Sequence, residues 1–195
     1  MFDCSGLKLY GEGEWKVRQH GWSQRRAWRK VHLAVDGQSG ALQAVEVTDA
    51  GVSDAEALPP MLEQVANPMA SAAGDGAYDR RSVYQALQAH SPGAHIAIPP
   101  RRDARIWPHG NCKAPPHPRD ENLRSICRHG RGAWKRAAHS HRRSLAATTV
   151  FRLKTLFGDH LRARLLATQR TQVRIRCQAL NRMTHLGMPD SYAPV

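Results

Sequence analysis

Apolar and polar residues alternate over two neighbouring segments of the chain, a pattern typical of β-strands with one buried face. Residues 28–35 have the sequence W-R-K-V-H-L-A-V, and residues 41–48 have the sequence A-L-Q-A-V-E-V-T. The intervening D-G-Q-S-G has the composition of a tight turn. A looser alternation over residues 2–10 predicts another strand close to the first residue. We therefore expect three successive strands, with His32 inside the second as a structural residue.

Helical spacing replaces alternation after the third strand. Ser53 or Asp54 is expected to cap a helix, because both side chains accept hydrogen bonds from free backbone N–H groups. Two prolines fall in the first turns, where proline is best tolerated. The apolar face of this helix is expected to consist of Leu58, Met61, Leu62 and Val65.

Small residues lead into Asp75, which lies between two glycines in the sequence M-A-S-A-A-G-D-G-A-Y-D. The pattern predicts a short buried strand that opens into a tight loop, where small neighbours let a ligand approach the carboxylate. An ordinary Asp-Gly turn is the alternative. A helix over residues 80–90, capped by Asp79, and a strand over residues 95–98 are predicted next.

The second half of the chain is rich in proline and then helical. Residues 99–120 hold six of the twelve prolines and predict an extended, irregular connection. Three helices are predicted beyond it: about 119–137, interrupted by two glycines, then a segment that includes residues 140–154, then 161–185. The apolar stripe of the last helix, expected in the core, consists of Leu166, Val173, Cys177, Leu180 and Thr184.

This order of elements predicts a single α/β domain with a mixed sheet. Its expected parts are residues 1–98, the connection over residues 99–120, and a basic helical part over residues 121–188. The sequence has no 18-residue apolar run and no signal peptide at its start, so a cytoplasmic protein without a membrane partner is expected. The four cysteines are then most simply reduced thiols, and their spacing fits no common zinc finger.

Positive charge is concentrated in the second half. The net charge is +13, but residues 1–100 carry −2 and residues 101–195 carry +15. Arginine greatly outnumbers lysine, and its planar fork suits phosphate, so nucleic acid is the expected partner. Residues 11–30 also interleave three tryptophans with six basic residues. They predict a hairpin that contacts nucleic acid, or one whose tryptophans anchor it to the core, and both can hold.

One stretch carries a distinctive constellation. In S-H-R-R-S-L-A-A-T-T-V-F-R-L-K, the residues Arg143, Ala147, Val150 and Lys154 fall at i, i+4, i+7 and i+11, which is one stripe of a helix. Basic residues on both sides of a central position suit a carboxylate that holds a metal ion beside a phosphate. The central position here carries a methyl group.

Four blocks of the chain resemble the DDE transposases of bacterial insertion sequences, in the IS Five-type and IS Four-like superfamily. They are D-C-S-G-L-K near Asp3, G-D-G-A-Y-D around Asp75, H-R-R-S-L and F-R-L-K-T-L-F-G. The last two blocks fit a Y-(2)-R-(3)-E-(6)-K spacing at Arg143 and Lys154. Ser140 stands where that signature has tyrosine, and Ala147 stands where it has the third catalytic acid.

The resemblance implies an RNase H-like catalytic core in which Asp3 and Asp75 are catalytic and bind metal. The expected cofactor is Mg²⁺ or Mn²⁺ in a two-metal site, weakened here because the third acid is absent. DNA and further copies of the protein on DNA ends are the implied partners. The residues expected to contact DNA are Arg143, Lys154, Lys16, Arg18, Arg25, Arg26, Arg101 and Arg102.

The same resemblance bears on whether this copy is active. The chain begins at the first catalytic strand, so the upstream DNA-end-recognition region of the family is expected to be missing. Together with Ala147, this predicts a truncated and catalytically impaired transposase domain that transfers phosphoryl groups on DNA. The alternatives are a non-catalytic, largely sequence-nonspecific DNA-binding protein and a remnant that does not fold.

The charge distribution predicts DNA binding with little sequence specificity. Affinity for arbitrary duplexes should fall steeply with salt, with a log–log slope of about −0.9 per phosphate neutralised. Titration of labelled duplexes at several salt concentrations measures this slope. A flat dependence, or a strong preference for one short duplex, would contradict the prediction.

Overall fold

The structure, a computed structural model, describes residues 1–9, 28–107, 116–140 and 144–187. The hairpin predicted over residues 11–30 therefore lies largely outside the described residues. Within them, no helix is long and apolar enough to cross a membrane.

Three antiparallel strands and one parallel strand form the main sheet. The strands β1 (Phe2–Leu9), β2 (Trp28–Val35) and β3 (Leu42–Asp49) follow one another as an antiparallel meander, as the alternating pattern predicts. A short strand late in the chain pairs in parallel with the end of β1 and gives the order β3-β2-β1-late strand. The sheet is therefore mixed.

A separate two-stranded sheet follows the first helix. Strands β4 (Ser71–Ala73) and β5 (His95–Ala97) pair in parallel, and both predicted positions are confirmed. Helix α1 (Asp54–Leu62) precedes β4, and helix α2 (Arg81–His90) connects β4 to β5. Parallel pairing across a helical crossover is the usual solution for two such strands.

The first helix begins where its caps predict. Ser53 is the N-cap, and its hydroxyl accepts a hydrogen bond from the N–H of Glu56 at 3.4 Å. The Glu56 carboxylate accepts one from the N–H of Ser53 at 2.8 Å, which completes a capping box. Reciprocal capping satisfies two backbone donors that would otherwise lack a partner, so the start of α1 is fixed by local chemistry.

Asp79 does not cap α2, contrary to the sequence prediction. The N-cap is Arg80, which makes no side-chain cap hydrogen bond. The Asp79 carboxylate is buried and accepts hydrogen bonds from Arg119 Nε at 2.7 Å and from the N–H of Arg101 at 3.2 Å. The Arg119 guanidinium also lies 4.0 Å from the centroid of the Trp107 ring. This buried ion pair attaches the proline-rich connection to the start of α2.

Three helices and a short strand make up the described residues from 116 onward. Helix α3 (Pro118–Ala137) is interrupted at Gly130, whose φ is 82°, whereas Gly132, the other predicted interruption, is helical. Helix α4 (Ser144–Phe157) is followed by strand β6 (His160–Leu161) and helix α5 (Leu166–Leu186).

The prediction that the last helix begins at residue 161 is wrong, because Leu161 pairs with Leu9 of β1. The central part of the apolar stripe predicted for this helix is confirmed as part of the core. Val173, Cys177 and Leu180 are all buried.

Helices cover both faces of the main sheet. Phe2 and Ala34 belong to a core with α1 and α2, whereas Leu7 and Leu33 belong to a core with α4 and α5. Side chains alternate between the faces along each strand, so neighbouring residues of β1 serve different cores. The predicted α/β class with a mixed sheet flanked by helices is confirmed, and the arrangement is consistent with an RNase H-like fold.

The Asp79–Arg119 pair should dominate the stability of the connection. Removing one partner of a buried pair leaves the other charge without compensation, so Asp79→Asn should destabilise the fold by about 3–5 kcal/mol. The matched control is Glu121→Gln, because Glu121 pairs with Arg124 on the exposed face of α3. That change should cost at most about 1 kcal/mol. Urea denaturation measures both, and equal effects would contradict the prediction.

Candidate active site

Asp3 lies on β1, an inner strand of the main sheet, and is partly buried. It is paired with Leu33 of β2, and side chains of directly paired residues lie on the same face of a sheet. Leu33 is fully buried in the core formed with α4 and α5. Asp3 therefore belongs to the face of the sheet that these two helices cover.

Asp75 follows β4 directly and begins a short 3₁₀ turn, Gly76–Tyr78. Its Oδ1 atom accepts a hydrogen bond from the N–H of Ala77 at 2.8 Å, which orients the carboxylate. A Cβ atom at Gly74 would lie 2.8 Å from the Tyr78 ring, so this glycine is required by packing. The sequence prediction attributed the small neighbours of Asp75 to ligand approach, but at Gly74 the tyrosine explains the glycine.

The hydroxyl of Tyr78 lies within the electrostatic influence of both acids and of Asp54. It is buried and, among the described residues, has no hydrogen-bond partner. Burial is the main cause that raises the pKa of Tyr78, and the negative charges of Asp54, Asp75 and Asp3 raise it further. Both predicted acids, 72 positions apart in the sequence, therefore act on one buried hydroxyl.

Position 147 lies on the helix that covers the Asp3 face. Ala147 is exposed, whereas its neighbour Ala146 is fully buried in the core beneath α4. Val150 is also buried, and Lys154 is partly exposed. The predicted stripe thus follows the border of the buried face, and its first member, Arg143, lies outside the described residues. The methyl group of Ala147 offers no ligand atom.

Among the described residues, the two acids nearest to Ala147 in the sequence are held in ion pairs elsewhere. Asp159 forms an ion pair with Lys8 at 3.0 Å. Lys8 is five residues along β1 from Asp3, which corresponds to about 17 Å at the rise of a β-strand. Glu121 is exposed and pairs with Arg124 on α3.

The predicted DNA contacts are only partly described. Arg101 and Arg102 are exposed in the connection after β5, and hydrogen bonding to Asp79 holds the backbone at Arg101. On α5, Arg174 and Arg182 are exposed, whereas Arg170 pairs with a glutamate of β3 at 3.1 Å. The predicted contacts that lie outside the described residues are Lys16, Arg18, Arg25, Arg26 and Arg143.

Sequence reasoning missed a second cluster on the opposite face of the sheet. Possible metal-ligating atoms of Cys4, His32 and Asp54 all lie within 4.8 Å of one another. Cys4 and His32 are directly paired across β1 and β2, and Asp54 is the first residue of α1. Only the strand register reveals this cluster, because the three residues are widely separated in the sequence and fit no ligand motif.

The shared influence of Asp3 and Asp75 on Tyr78 predicts that their carboxylates interact. In a double-mutant cycle of Asp3→Asn and Asp75→Asn, the coupling free energy should be about 0.5–3 kcal/mol, the range for neighbouring groups. The control cycle combines Asp3→Asn with Glu121→Gln on α3, and it should be additive within about 0.5 kcal/mol. Denaturant unfolding provides all the values. Additivity in the first cycle would show that the two acids do not meet.

Comparison with protein families agrees with the fold and the motifs. A family model described as the transposase DDE domain matches residues 1–182, which is most of the chain. No solved structure matches the chain. Members of this family act on DNA in transposition and generally use divalent metal ions. The chain therefore belongs to the transposase DDE domain family.

Proposed function

We propose that this chain is the catalytic domain of an IS Five-type or IS Four-like transposase, with phosphoryl-transfer activity on DNA strongly reduced by Ala147. Asp3 and Asp75 are the two remaining carboxylates of its reaction centre. The observation that supports the proposal is the match of the transposase DDE domain over residues 1–182, which includes Asp3 on β1, Asp75 just after β4 and Ala147 on α4. We therefore interpret this centre as a three-acid site that lacks its third carboxylate.

The donor set of this site fits a divalent cation only in part. Carboxylate oxygens suit Mg²⁺ and Mn²⁺, and Mg²⁺ is often held by one or two carboxylates together with waters. Asp3 and Asp75 supply those two carboxylates, and both are partly accessible. When bound, such ions activate a water or a 3′-hydroxyl and stabilise the leaving oxygen of an in-line displacement. A second ion would lack the ligand that position 147 provides in the family.

The protein's own contribution is positioning and charge. Asp3 is held by strand pairing on β1, and the hydrogen bond from Ala77 orients the Asp75 carboxylate. Lys154 and Arg143 are the residues proposed to contact phosphates near the cleaved strand. Such contacts would fix the register of the DNA on the protein. The exposed arginines of the connection and of α5 extend this basic surface. Self-association on DNA ends belongs to the same proposal.

A second candidate function follows from Ala147 itself. A domain that has lost one acid can still bind DNA through its basic half, which carries a net charge of +15 over residues 101–195. It would then act as a non-catalytic DNA-binding protein of low sequence specificity. Strand cleavage that depends on both a metal ion and Asp75 distinguishes the two candidates.

Restoring the acid should restore cleavage. Ala147→Glu should raise Mg²⁺- or Mn²⁺-dependent nicking of supercoiled DNA well above the parent, because a misplaced nucleophile costs orders of magnitude in rate. Combining Ala147→Glu with Asp75→Ala should abolish the gain. Conversion of supercoiled plasmid to open circles measures each rate.

The matched control is Thr148→Glu, which adds the same charge at the neighbouring exposed position of α4. One residue along a helix turns the side chain by about 100°, so this glutamate should not restore nicking. Equal activity of the two glutamate variants would refute the proposed role of position 147. Efficient nicking by the parent that disappears with Asp75→Ala would show that the domain is not impaired.

A further inference from the structure

We propose that Cys4, His32 and Asp54 form a binding site for one Zn²⁺ ion, on the face of the sheet opposite to Asp3. This site is separate from the carboxylate site of the proposed function and does not depend on it. It joins three segments of the fold: β1 through Cys4, β2 through His32, and the first turn of α1 through Asp54.

The spacing of the ligand atoms is close to that of a tetrahedral site. All three lie within 4.8 Å of one another, and His32 Nδ1 is 3.7 Å from Asp54 Oδ1. Zinc–nitrogen and zinc–oxygen distances of about 2.0–2.2 Å and zinc–sulfur distances of about 2.3 Å place tetrahedral ligand atoms about 3.3–3.8 Å apart. Closing the cluster onto an ion therefore requires movements of only about 1 Å.

The hydrogen bonds of His32 leave a lone pair directed into the cluster. Its Nε2 atom lies 2.9 Å from the hydroxyl oxygen of Thr48, and that hydroxyl donates its single hydrogen to the carbonyl oxygen of Asp49. The Thr48 oxygen must then accept from Nε2–H, which makes Nδ1 the unprotonated nitrogen. His32 is fully buried, and Nδ1 has no hydrogen-bond partner among the described residues.

This tautomer places two acceptors face to face. The Nδ1 lone pair of His32 and the carboxylate of Asp54 cannot hydrogen-bond to each other, so the space between them favours a positive group. A histidine whose other nitrogen donates to an oxygen is also the usual arrangement of a metal ligand, with Thr48 as the outer partner. Orphaned buried acceptors are rare, and an ion gives this one a partner.

Beside the cluster, the Tyr78 hydroxyl is a second buried polar atom for which the described residues provide no hydrogen-bond partner. Burial raises its pKa, and the negative charge of the nearby Asp54 carboxylate raises it further. Three protein ligands leave the fourth position of a tetrahedral zinc to water. A water at that position would give the Tyr78 hydroxyl its missing partner.

The ligand types select zinc over magnesium. A thiolate and an imidazole are borderline or soft donors, whereas Mg²⁺ takes oxygen ligands. Cys4 as thiolate and Asp54 as carboxylate together balance the two positive charges of the ion. Binding would release the thiol proton, because the thiolate is the form of cysteine that binds a metal ion.

Lys30 opposes binding and provides a specific test. Its Nζ atom lies 3.4 Å from Asp54 Oδ1 and donates to the carbonyl oxygen of Val52 at 2.8 Å. Its positive charge next to Asp54 repels a cation, although its side chain is 31% exposed and can turn toward solvent. Lys30→Met should therefore tighten zinc binding, whereas a purely adventitious surface site would not respond.

The experiment uses the full chain, stripped with a chelator and titrated with Zn²⁺. Calorimetry and native mass spectrometry should find one ion per chain, and the melting temperature should rise with zinc concentration by mass action. Substitution with Co²⁺ should give a thiolate-to-cobalt charge-transfer band.

Thr48→Val, which removes the outer partner of His32, should weaken zinc binding roughly 10–100-fold. Cys4→Ser and His32→Gln should weaken it further.

Two control variants separate this site from the rest of the molecule. Cys127→Ser removes an exposed thiol outside the cluster and should leave zinc binding unchanged. Asp75→Ala disables the proposed reaction centre and should also leave it unchanged, so failure of one proposal does not imply failure of the other. Circular dichroism of each variant confirms folding, and Thr48→Val and Lys30→Met keep all three ligands. No zinc uptake by the parent, or equal affinity of Cys4→Ser, would overturn the proposal.

Discussion

The antiparallel pairing of β1 with β2 is the constraint on which the rest of the structure depends. Its register pairs Asp3 with Leu33 and Cys4 with His32, so two adjacent residues of one strand are directed to opposite faces of the sheet. A slip of one residue would exchange the faces and move the apolar residues of β1 out of their cores. Burial of Leu7 and Leu33 on one face therefore also fixes the faces on which Asp3 and Cys4 lie.

Local chemistry made much of the fold predictable. The strands and the start of α1 follow from alternation and from the capping box of Ser53 and Glu56, both of which depend only on neighbouring residues. The predictions are wrong where a residue distant in the sequence determines the local structure. Asp79 has the composition of a helix cap, but Arg119, forty positions later, takes its carboxylate into a buried ion pair. Likewise, residues 160–161 extend because they pair with β1, which helical periodicity does not encode.

The candidate sites were predictable to different degrees. The block around Asp3 could be found only through its resemblance to the family, whereas small residues and glycines also mark Asp75, although packing of Tyr78 explains the glycine at position 74. The cluster of Cys4, His32 and Asp54 could not be found in that way. Its members meet because of the strand register and the position at which α1 begins. Neither can be inferred from the spacing of the residues along the chain.

The parallel pairing of β6 with β1 has a consequence for the newly made protein. β1 is synthesised long before β6, because its partner at His160 follows Lys8 by 152 positions. At roughly 5–20 residues per second, the ribosome needs about 8–30 s to make the intervening chain. During that interval the end of β1 is an open strand edge, to which other extended segments can attach. Nascent copies on the same messenger RNA would then be most exposed to mutual aggregation before β6 is made.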